Sequence, residues 1–349
     1  NPAGGACLVV VDRGYTRIQK KWHNIGSRRL HCQLVQIESD VVVPVETASD
    51  KEEYSAATIR PKILARLEDF MIPLKKNHIR RNSTNLKIMT ENIADIKGIL
   101  SRLKIDRSAP PSRILKGGNS NARGFLRSFI ENKLKYYADN RNDPNADALS
   151  NMSPYLHFGQ ISPLYIALEV NKAKGLSAES YLEELIVRRE LAMNFVFYND
   201  NYDSFDCLPK WCRQTLEAHA RDKRIFNYSV EELEHAQTHD PYWNAAQFEM
   251  IHTGKMHGYM RMYWGKKIIE WTKDPRLAFD IALHLNNKYE VDGRDPNGFA
   301  GIAWCFGKHD RPWAERPIFG KIRYMNDAGL KRKFDADQYT ARFRAGTYS

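Results

Sequence analysis

Indoles at helical spacing are the first residues here that could do chemistry. Met260, Trp264, Ile268 and Trp271 recur at i, i+4, i+8 and i+11 and share one face of a helix predicted over 251–272. Trp243 lies shortly upstream, after Asp240-Pro241. Spacing alone leaves two readings open. One is a Trp-rich core; the other is a chain of oxidisable indoles that passes electrons from the surface to a buried cofactor. The same segment holds Gly254-x-x-x-Gly258, which clears side chains from the opposite face for close helix packing or for a planar cofactor.

Charged and polar groups cluster around this stripe. Arg261 sits among Met260, Met262 and Tyr263, and a buried guanidinium needs a carboxylate. Asp292 or Asp295, in the polar turn Glu290 to Gly298, could supply it. Ser150 and Ser153 precede Pro154, which suits a first helical turn, so the pair fits a phosphate cradle or an ordinary N-cap. Glu184 and Arg188 lie four apart, a spacing that surface ion pairing also explains, and Arg189 falls on an apolar face and needs a partner. Metal chemistry is not indicated. Cys207 and Cys212 have no second pair near them, and His235 and His239 lack the glutamate of a zinc-protease helix.

These groups must be held by helices. Beyond about residue 120 nearly everything is helical in period, and Ser180-Tyr181-Leu182-Glu183 reads as a capping box that opens one helix. The β-structure is confined to the start. Cys7 to Val11 reads as a strand buried on both faces, Thr16 to Leu30 as a basic amphipathic stretch, and Cys32 to Ile37 as a second strand. Val41 to Val45 reads as a third strand or an extension, and Tyr54 to Phe70 as a helix interrupted by Pro61. Two or three strands cannot form a covered parallel sheet. The chain is therefore expected to be truncated, without the first strands of an α/β domain. A basic run (Lys75, Lys76, Arg80, Arg81, Lys87) reads as linker, with a domain boundary at Ser108 to Asn119.

Composition bounds the function. The 349 residues suit about two domains, and 42% hydrophobic with 11% aromatic content excludes a disordered chain. No apolar run is long enough to span a bilayer, and Asn1 to Gly5 carries no signal-peptide pattern. Five widely spaced cysteines do not form a disulfide framework. The net charge of +11 points to an acidic partner, nucleic acid or a small anion.

Five stretches resemble one family, the class II cyclobutane pyrimidine dimer DNA photolyases. They are Asp147 to Gly159 (DALSNMSPYLHFG), Glu184 to Leu191 (ELIVRREL), Thr238 to Ala245 (THDPYWNA), Thr253 to Trp264 (TGKMHGYMRMYW) and Asp292 to Gly298 (DGRDPNG). The resemblance implies an α/β remnant, a truncated Rossmann-like antenna domain at 1–70. A linker at 71–119 would follow, then an all-α FAD-binding domain of the photolyase/cryptochrome type at 120–349. It also implies a monomeric intracellular enzyme, in a prokaryotic cytoplasm or a eukaryotic nucleus or organelle. Its partner would be DNA containing cis-syn pyrimidine dimers, which light-driven electron transfer from reduced FAD would split after the dimer is flipped out. A deazaflavin or folate antenna chromophore would bind in the part expected to be missing.

Residue by residue, Tyr137 and the run Leu149, Ser150, Asn151, Met152 and Ser153 resemble the positions that hold the FAD phosphates. Arg261 and Asp292, with Gly293, resemble the ion pair beside the isoalloxazine, and Asn286 the amide near flavin N5, with Asn297 as its competitor. Trp264, Trp243 and Trp271 resemble the proximal, middle and distal members of the electron-transfer triad. On the lesion side Glu184 resembles the glutamate that hydrogen-bonds the dimer, and Met262 and Trp304 the residues that pack on the flipped bases. Lys308, Arg311 and Arg323 resemble the region that fills the duplex and grips phosphates, joined by Lys331 to Lys333. Position 188 is Arg where some relatives carry Trp, which would make the pocket wall more polar. A cryptochrome-type photoreceptor without repair and a flavin-free DNA-binding module are the alternatives. A pure sensor has no need of Glu184, Met262 and Trp304 together, and flavin absorbance would eliminate the module.

Overall fold

The computed structural model describes residues 5–344 apart from 74, 76, 79, 83, 84, 86 and 88–90. Asn1 to Gly4 and Lys76 of the basic run thus lie outside the described residues. Two parallel strands, Leu8–Asp12 and Gln33–Ile37, pair in register from Leu8 with Gln33 to Asp12 with Ile37. The helix Arg17–Arg29 connects them, started by Thr16, whose backbone N–H donates to Gln19 Oε1 at 3.1 Å. The first strand is not buried on both faces as expected, since Leu8 and Val10 stand about half exposed.

The expected third strand is absent among the described residues. Val41, Val42 and Val43 are instead buried as an irregular segment ahead of the short helix Val45–Ala48. Their apolar side chains are buried in the docked segment, and the carboxyl group of Glu190 accepts the backbone N–H of Val42 (2.6 Å) and of Val43. The neighbouring Arg189 pairs with Asp40 at 2.5 Å, which answers the partner its apolar surroundings demand. The next helix, Ala56–Phe70, runs through Pro61 without interruption.

Helices from Asn119 onward build two apolar clusters. One gathers Phe129, Tyr137, Met152, Tyr155, Ile166, Tyr181 and Ile186, with Ile59 and Ile63 from the Ala56–Phe70 helix. The other gathers Phe195, Trp243, Met260, Trp264, Trp271, Phe279 and Ile302. Three helices of the second cluster start alike, with an aspartate cap followed by proline. Asp240 accepts the N–H groups of Tyr242 and Trp243, Asp274 that of Arg276, and Asp295 that of Asn297. The cap uses donors the helix leaves free, and proline has no N–H to lose there.

Two local expectations are corrected. The predicted helix over 251–272 is two helices, Pro241–Thr253 and Gly258–Trp271. Gly254 ends the first in the left-handed region (φ 74°), where a Cβ would meet Val291 Cγ2 at 2.4 Å, so the spaced glycines mark a turn. Ser180 caps nothing. Its helix begins earlier, after Gly175 (φ 89°), and runs Leu176–Leu182 into a wide-turned π-helical stretch, Glu183–Arg188, before Arg189–Tyr198.

Candidate active site

A cleft opens where the two clusters meet, with a cavity of about 230 Å³. Its lining brings together Tyr137, Ser150, Met152 and Ser153 on one side with Arg261, Asn286, Asp292 and Asn297 on the other, and Glu184 joins them. At the hydroxyl side, Ser150 Oγ accepts from Tyr181 OH at 3.0 Å and Ser153 Oγ from Lys255 Nζ at 3.3 Å. Tyr137 packs edge-on against Tyr181, with ring centroids 5.2 Å apart. Leu149, Asn151 and Gly293 are not among the lining residues. Leu149 packs on the first cluster, and Asn151 takes a left-handed backbone (φ 56°) that turns the chain. Gly293 is where a Cβ would press within 2.9 Å of the Asn287 carbonyl.

The partner of Arg261 is corrected. Its Nη2 lies 2.7 Å from Glu290 Oε1, not on Asp292 or Asp295. Asp295 instead caps its helix and pairs with His157 Nδ1 at 3.0 Å. Burial pushes the Glu290 carboxyl up to about 8, against the opposing pull of Arg261 and with a further push from Asp292. Arg261 lines the cleft, and its Nε is buried without a hydrogen-bond partner. Such a donor suits a ligand with acceptors on its edge, as the isoalloxazine of FAD has. A Cβ at Gly298 would stand 3.2 Å from Asn286 Nδ2, so the glycine leaves room at the cleft wall for that amide, which donates to Asn287 Oδ1 at 3.3 Å. The hydroxyls opposite suit the phosphates, and the residues present fit FAD.

Glu184 owes its place to the π-helical stretch, whose wide turn sets it towards the cleft while Glu183 turns to Arg60 (2.6 Å). Arg141, which the sequence did not signal, holds Glu184 through a 2.6 Å contact. Arg188 is tied to Glu183 at 3.2 Å, and its guanidinium lies 5.6 Å from the Trp304 ring centroid. Met262 and Trp304 do not line the cleft; Met262 sits against Cys305, its sulfur 3.8 Å from Sγ.

Lys308 is corrected as a DNA contact. It is 4% exposed, and its ammonium is taken up by Glu52 (2.6 Å) and the Cys207 carbonyl (2.8 Å), so it has no reach to a phosphate. Arg311 and Arg323 remain at the surface, both against the exposed Trp313, with guanidinium carbons 5.5 and 5.2 Å from its ring centroid.

The indoles meet as a column. The rings of Trp243 and Trp264 are 6.2 Å apart and within 6° of parallel, and Trp271 meets Trp243 at 5.4 Å and 66°. All three are buried, Trp271 included. Trp264 donates from Nε1 to Gln247 Oε1 at 2.9 Å. The distal member therefore does not itself reach the surface, as a relay from solvent requires.

No family model matches the chain. The sequence is 56% identical over 342 residues to a deoxyribodipyrimidine photo-lyase of Methanothermobacter thermautotrophicus, covering 98% of this chain and 75% of that protein. It is 46% identical over 347 residues to the Arabidopsis thaliana protein of the same name (96% and 70%) and 47% identical over 309 residues to that of Potorous tridactylus (87% and 58%). Among solved structures, a class III photolyase from Agrobacterium tumefaciens superposes with TM-score 0.71 at 19% identity, covering 97% of this chain and 68% of that one. An archaeal photolyase from Sulfolobus tokodaii, solved with two FAD molecules, superposes with TM-score 0.68 at 15% identity (97% and 69%). A Synechocystis cryptochrome gives 0.69 at 16% (97% and 68%), and such low identities speak for the fold alone.

Proposed function

Because this chain belongs to the deoxyribodipyrimidine photo-lyase family and has the photolyase/cryptochrome fold, we propose that it is a class II enzyme that binds FAD in the cleft and repairs cyclobutane pyrimidine dimers in DNA with light. The observation that carries this reading is one cavity lined both by the Arg261, Asn286, Asp292 and Asn297 group and by Glu184. A cofactor seated on the first group would have a lesion held by the second beside it. The class rests on the five motif stretches. We assign residues 1–70 to the antenna domain, 71–119 to the linker and 120–349 to the catalytic domain, with Val42, Val43, Ile59 and Ile63 as the seam between first and last.

FAD, when bound in its reduced form and excited by light, supplies the electron that opens the dimer. The chain does the rest. Ser150 and Ser153 would hold the phosphates, and Arg261, oriented by Glu290, would supply a fixed positive charge to the cofactor. Asn286, on the cleft wall, would offer its amide to the cofactor. Glu184, oriented by Arg141, hydrogen-bonds the base edges of the flipped dimer, and the apolar walls around Met152, Leu156 and Leu185 exclude water. Trp264, Trp243 and Trp271 would relay electrons inward to keep the cofactor reduced. Arg311 and Arg323 meet the DNA backbone.

The direct test is illumination of a dimer-containing oligonucleotide with the reduced, FAD-loaded protein. Light-dependent loss of the dimer is expected. A flavin-loaded protein that leaves the dimer intact would reject repair, and a colourless protein that takes up no flavin would reject the site.

A further inference from the structure

The turn that carries Arg311 and Arg323 is held from outside itself. Its two arms pair through the Trp313 N–H on the Lys321 carbonyl at 2.9 Å and through the antiparallel bridge of Arg316 with Gly320. The second arm is anchored by burial, with Phe319 and Ile322 inside the apolar cluster of the indoles. The first arm, from Arg311 to Arg316, is exposed throughout. At the tip Ile318 stands in the left-handed region (φ 69°), where a β-branched side chain is strained, so its surroundings must hold it there. Gly320 (φ 52°) runs close against the end of the helix Lys210–Ala218. A Cβ there would collide with Thr215 and would lie 2.8 Å from His219 Cδ2.

The His219 imidazole joins the exposed arm and the strained tip to this helix end. Its Nδ1 lies 2.6 Å from Asp222 Oδ2, and its Nε2 lies 3.0 Å from Glu315 Oε1 on the exposed arm. The same Asp222 oxygen accepts the N–H of Ile318 at 2.7 Å. An ionised carboxylate accepts hydrogen bonds and donates none, so a ring with a carboxylate on each nitrogen needs an N–H on both. That form is the imidazolium; a neutral ring would turn one lone pair towards a carboxylate. Glu315 first and then Asp222 raise the His219 pKa above its ordinary 6.5. The cations around the pair of acids are Lys223, Arg224, Arg316 and Lys321, and Arg224 is turned to the His219 carbonyl at 2.9 Å.

We propose that His219 is a positioning residue for DNA binding, whose imidazolium clamps the turn 311–323 to the end of the helix Lys210–Ala218 and lets it loosen when the proton leaves. The inference rests on the reading that Arg311 and Arg323 meet the DNA backbone. Both guanidiniums pack on Trp313, two residues before Glu315. Holding Glu315 therefore fixes the platform on which the two cations stand, and DNA binding is spared the entropy of ordering it. Because the folded pKa is raised, the clamp is complete below about pH 6.5 and is lost as pH rises through the folded value. Ion pairs at the surface are individually weak and screened by salt, so the effect is a graded change in affinity.

The test uses the full FAD-loaded chain and a duplex with one pyrimidine dimer, kept in the dark. Affinity is followed by fluorescence anisotropy between about pH 6 and about pH 8.5. Wild type is expected to lose on the order of 3- to 10-fold more affinity across this range than His219→Gln, which cannot titrate. Asp222→Asn keeps an acceptor for the Ile318 N–H but no charge for His219, and should also flatten the profile. Nitrogen NMR of the imidazole should show both ring nitrogens protonated at pH 6 and a titration above 6.5. Equal pH profiles for wild type and His219→Gln, compared at equal flavin content, would overturn the proposal, as would a His219 that titrates at or below 6.5. If Arg311→Ala and Arg323→Ala both leave the affinity at pH 6 unchanged, the DNA-facing reading of the turn fails, and the proposal with it.

Discussion

Trp243 donates its indole N–H to the backbone carbonyl of Trp264 at 3.0 Å, so the two parallel rings are tied through the chain of one of them. Asp240 fixes the other end by capping the helix at the backbone N–H of Trp243. Neither ring can shift without breaking a buried hydrogen bond. In our reading this column serves flavin reduction and not the repair step. Trp264→Phe should abolish photoreduction of oxidised FAD, while chemically pre-reduced enzyme still repairs. Flavin absorbance under illumination, beside a dimer-loss assay, separates the two steps, and photoreduction at the wild-type rate would refute the relay.

Glu184→Ala should lower repair by roughly 10- to 100-fold, the worth of a hydrogen bond to a charged group, and leave the FAD content unchanged. Arg141→Ala should act in the same direction, because it removes the contact that orients Glu184. Unchanged repair in both variants would remove Glu184 from the lesion site.

Arg261→Ala leaves the Glu290 carboxyl buried without its partner. The cost is expected to be about 1–3 kcal/mol, that of a lost hydrogen bond to a charged group, with loss of bound FAD. Glu290→Gln keeps an oxygen for Arg261 Nη2 and should retain more flavin than Arg261→Ala. Urea unfolding and flavin-to-protein absorbance ratios measure the two effects.

Lys308 and Arg323 should separate structure from DNA binding. Lys308→Ala removes a buried ammonium with its contacts to Glu52 and the Cys207 carbonyl and should reduce stability by about 2 kcal/mol, with the salt dependence of DNA affinity unchanged. Arg323→Ala should spare stability and reduce the slope of log affinity against log salt by about 1. The opposite pattern would return Lys308 to the interface.

Glu190 gives a pH signature. Burial raises its carboxyl from 4.5 to about 8 in the folded state, so the native protein keeps a proton that the unfolded chain releases. Its contribution to stability is complete below about pH 4.5 and is lost as pH rises to about 8. Over that window wild type should lose up to about 1.4 kcal/mol per pH unit relative to Glu190→Gln. The glutamine keeps an acceptor for the Val42 and Val43 N–H groups without the titration. Parallel slopes for both proteins would show that Glu190 is ionised in the fold.

Side-chain chemistry was more legible in the sequence than backbone geometry. Trp243, Trp264 and Trp271 declared themselves by type and helical spacing, and Arg189 declared its need for a carboxylate. Asp40 was invisible as that carboxylate because it lies 149 positions away, on a segment whose valines read as a strand. Glu290 was passed over for Asp292 because both lie in one short turn, and only the fold decides which carboxylate faces Arg261. Ser180 satisfied the capping pattern, but local pattern yields to burial of Ala178 and Tyr181 along a helix that has already begun. The break at Gly254 shows the same limit, since an apolar period continues across a turn that only the left-handed glycine reveals.

The wide turn at Glu183–Arg188 also governs how this protein can tolerate length changes. A π-helical turn holds one more residue than an α-helical one, and each residue rotates a helix by about 100°. Deleting a single residue there would let the turn close to a regular α-helical one with Arg189 and Glu190 still on their faces, so the contacts to Asp40 and Val42 would survive. What would go is the wide turn that sends Glu183 to Arg60 and Glu184 to Arg141. A one-codon deletion in this stretch would therefore spare the grip on the N-terminal segment and cost the cleft its acid, whereas the same deletion further along the regular helix would rotate everything beyond it.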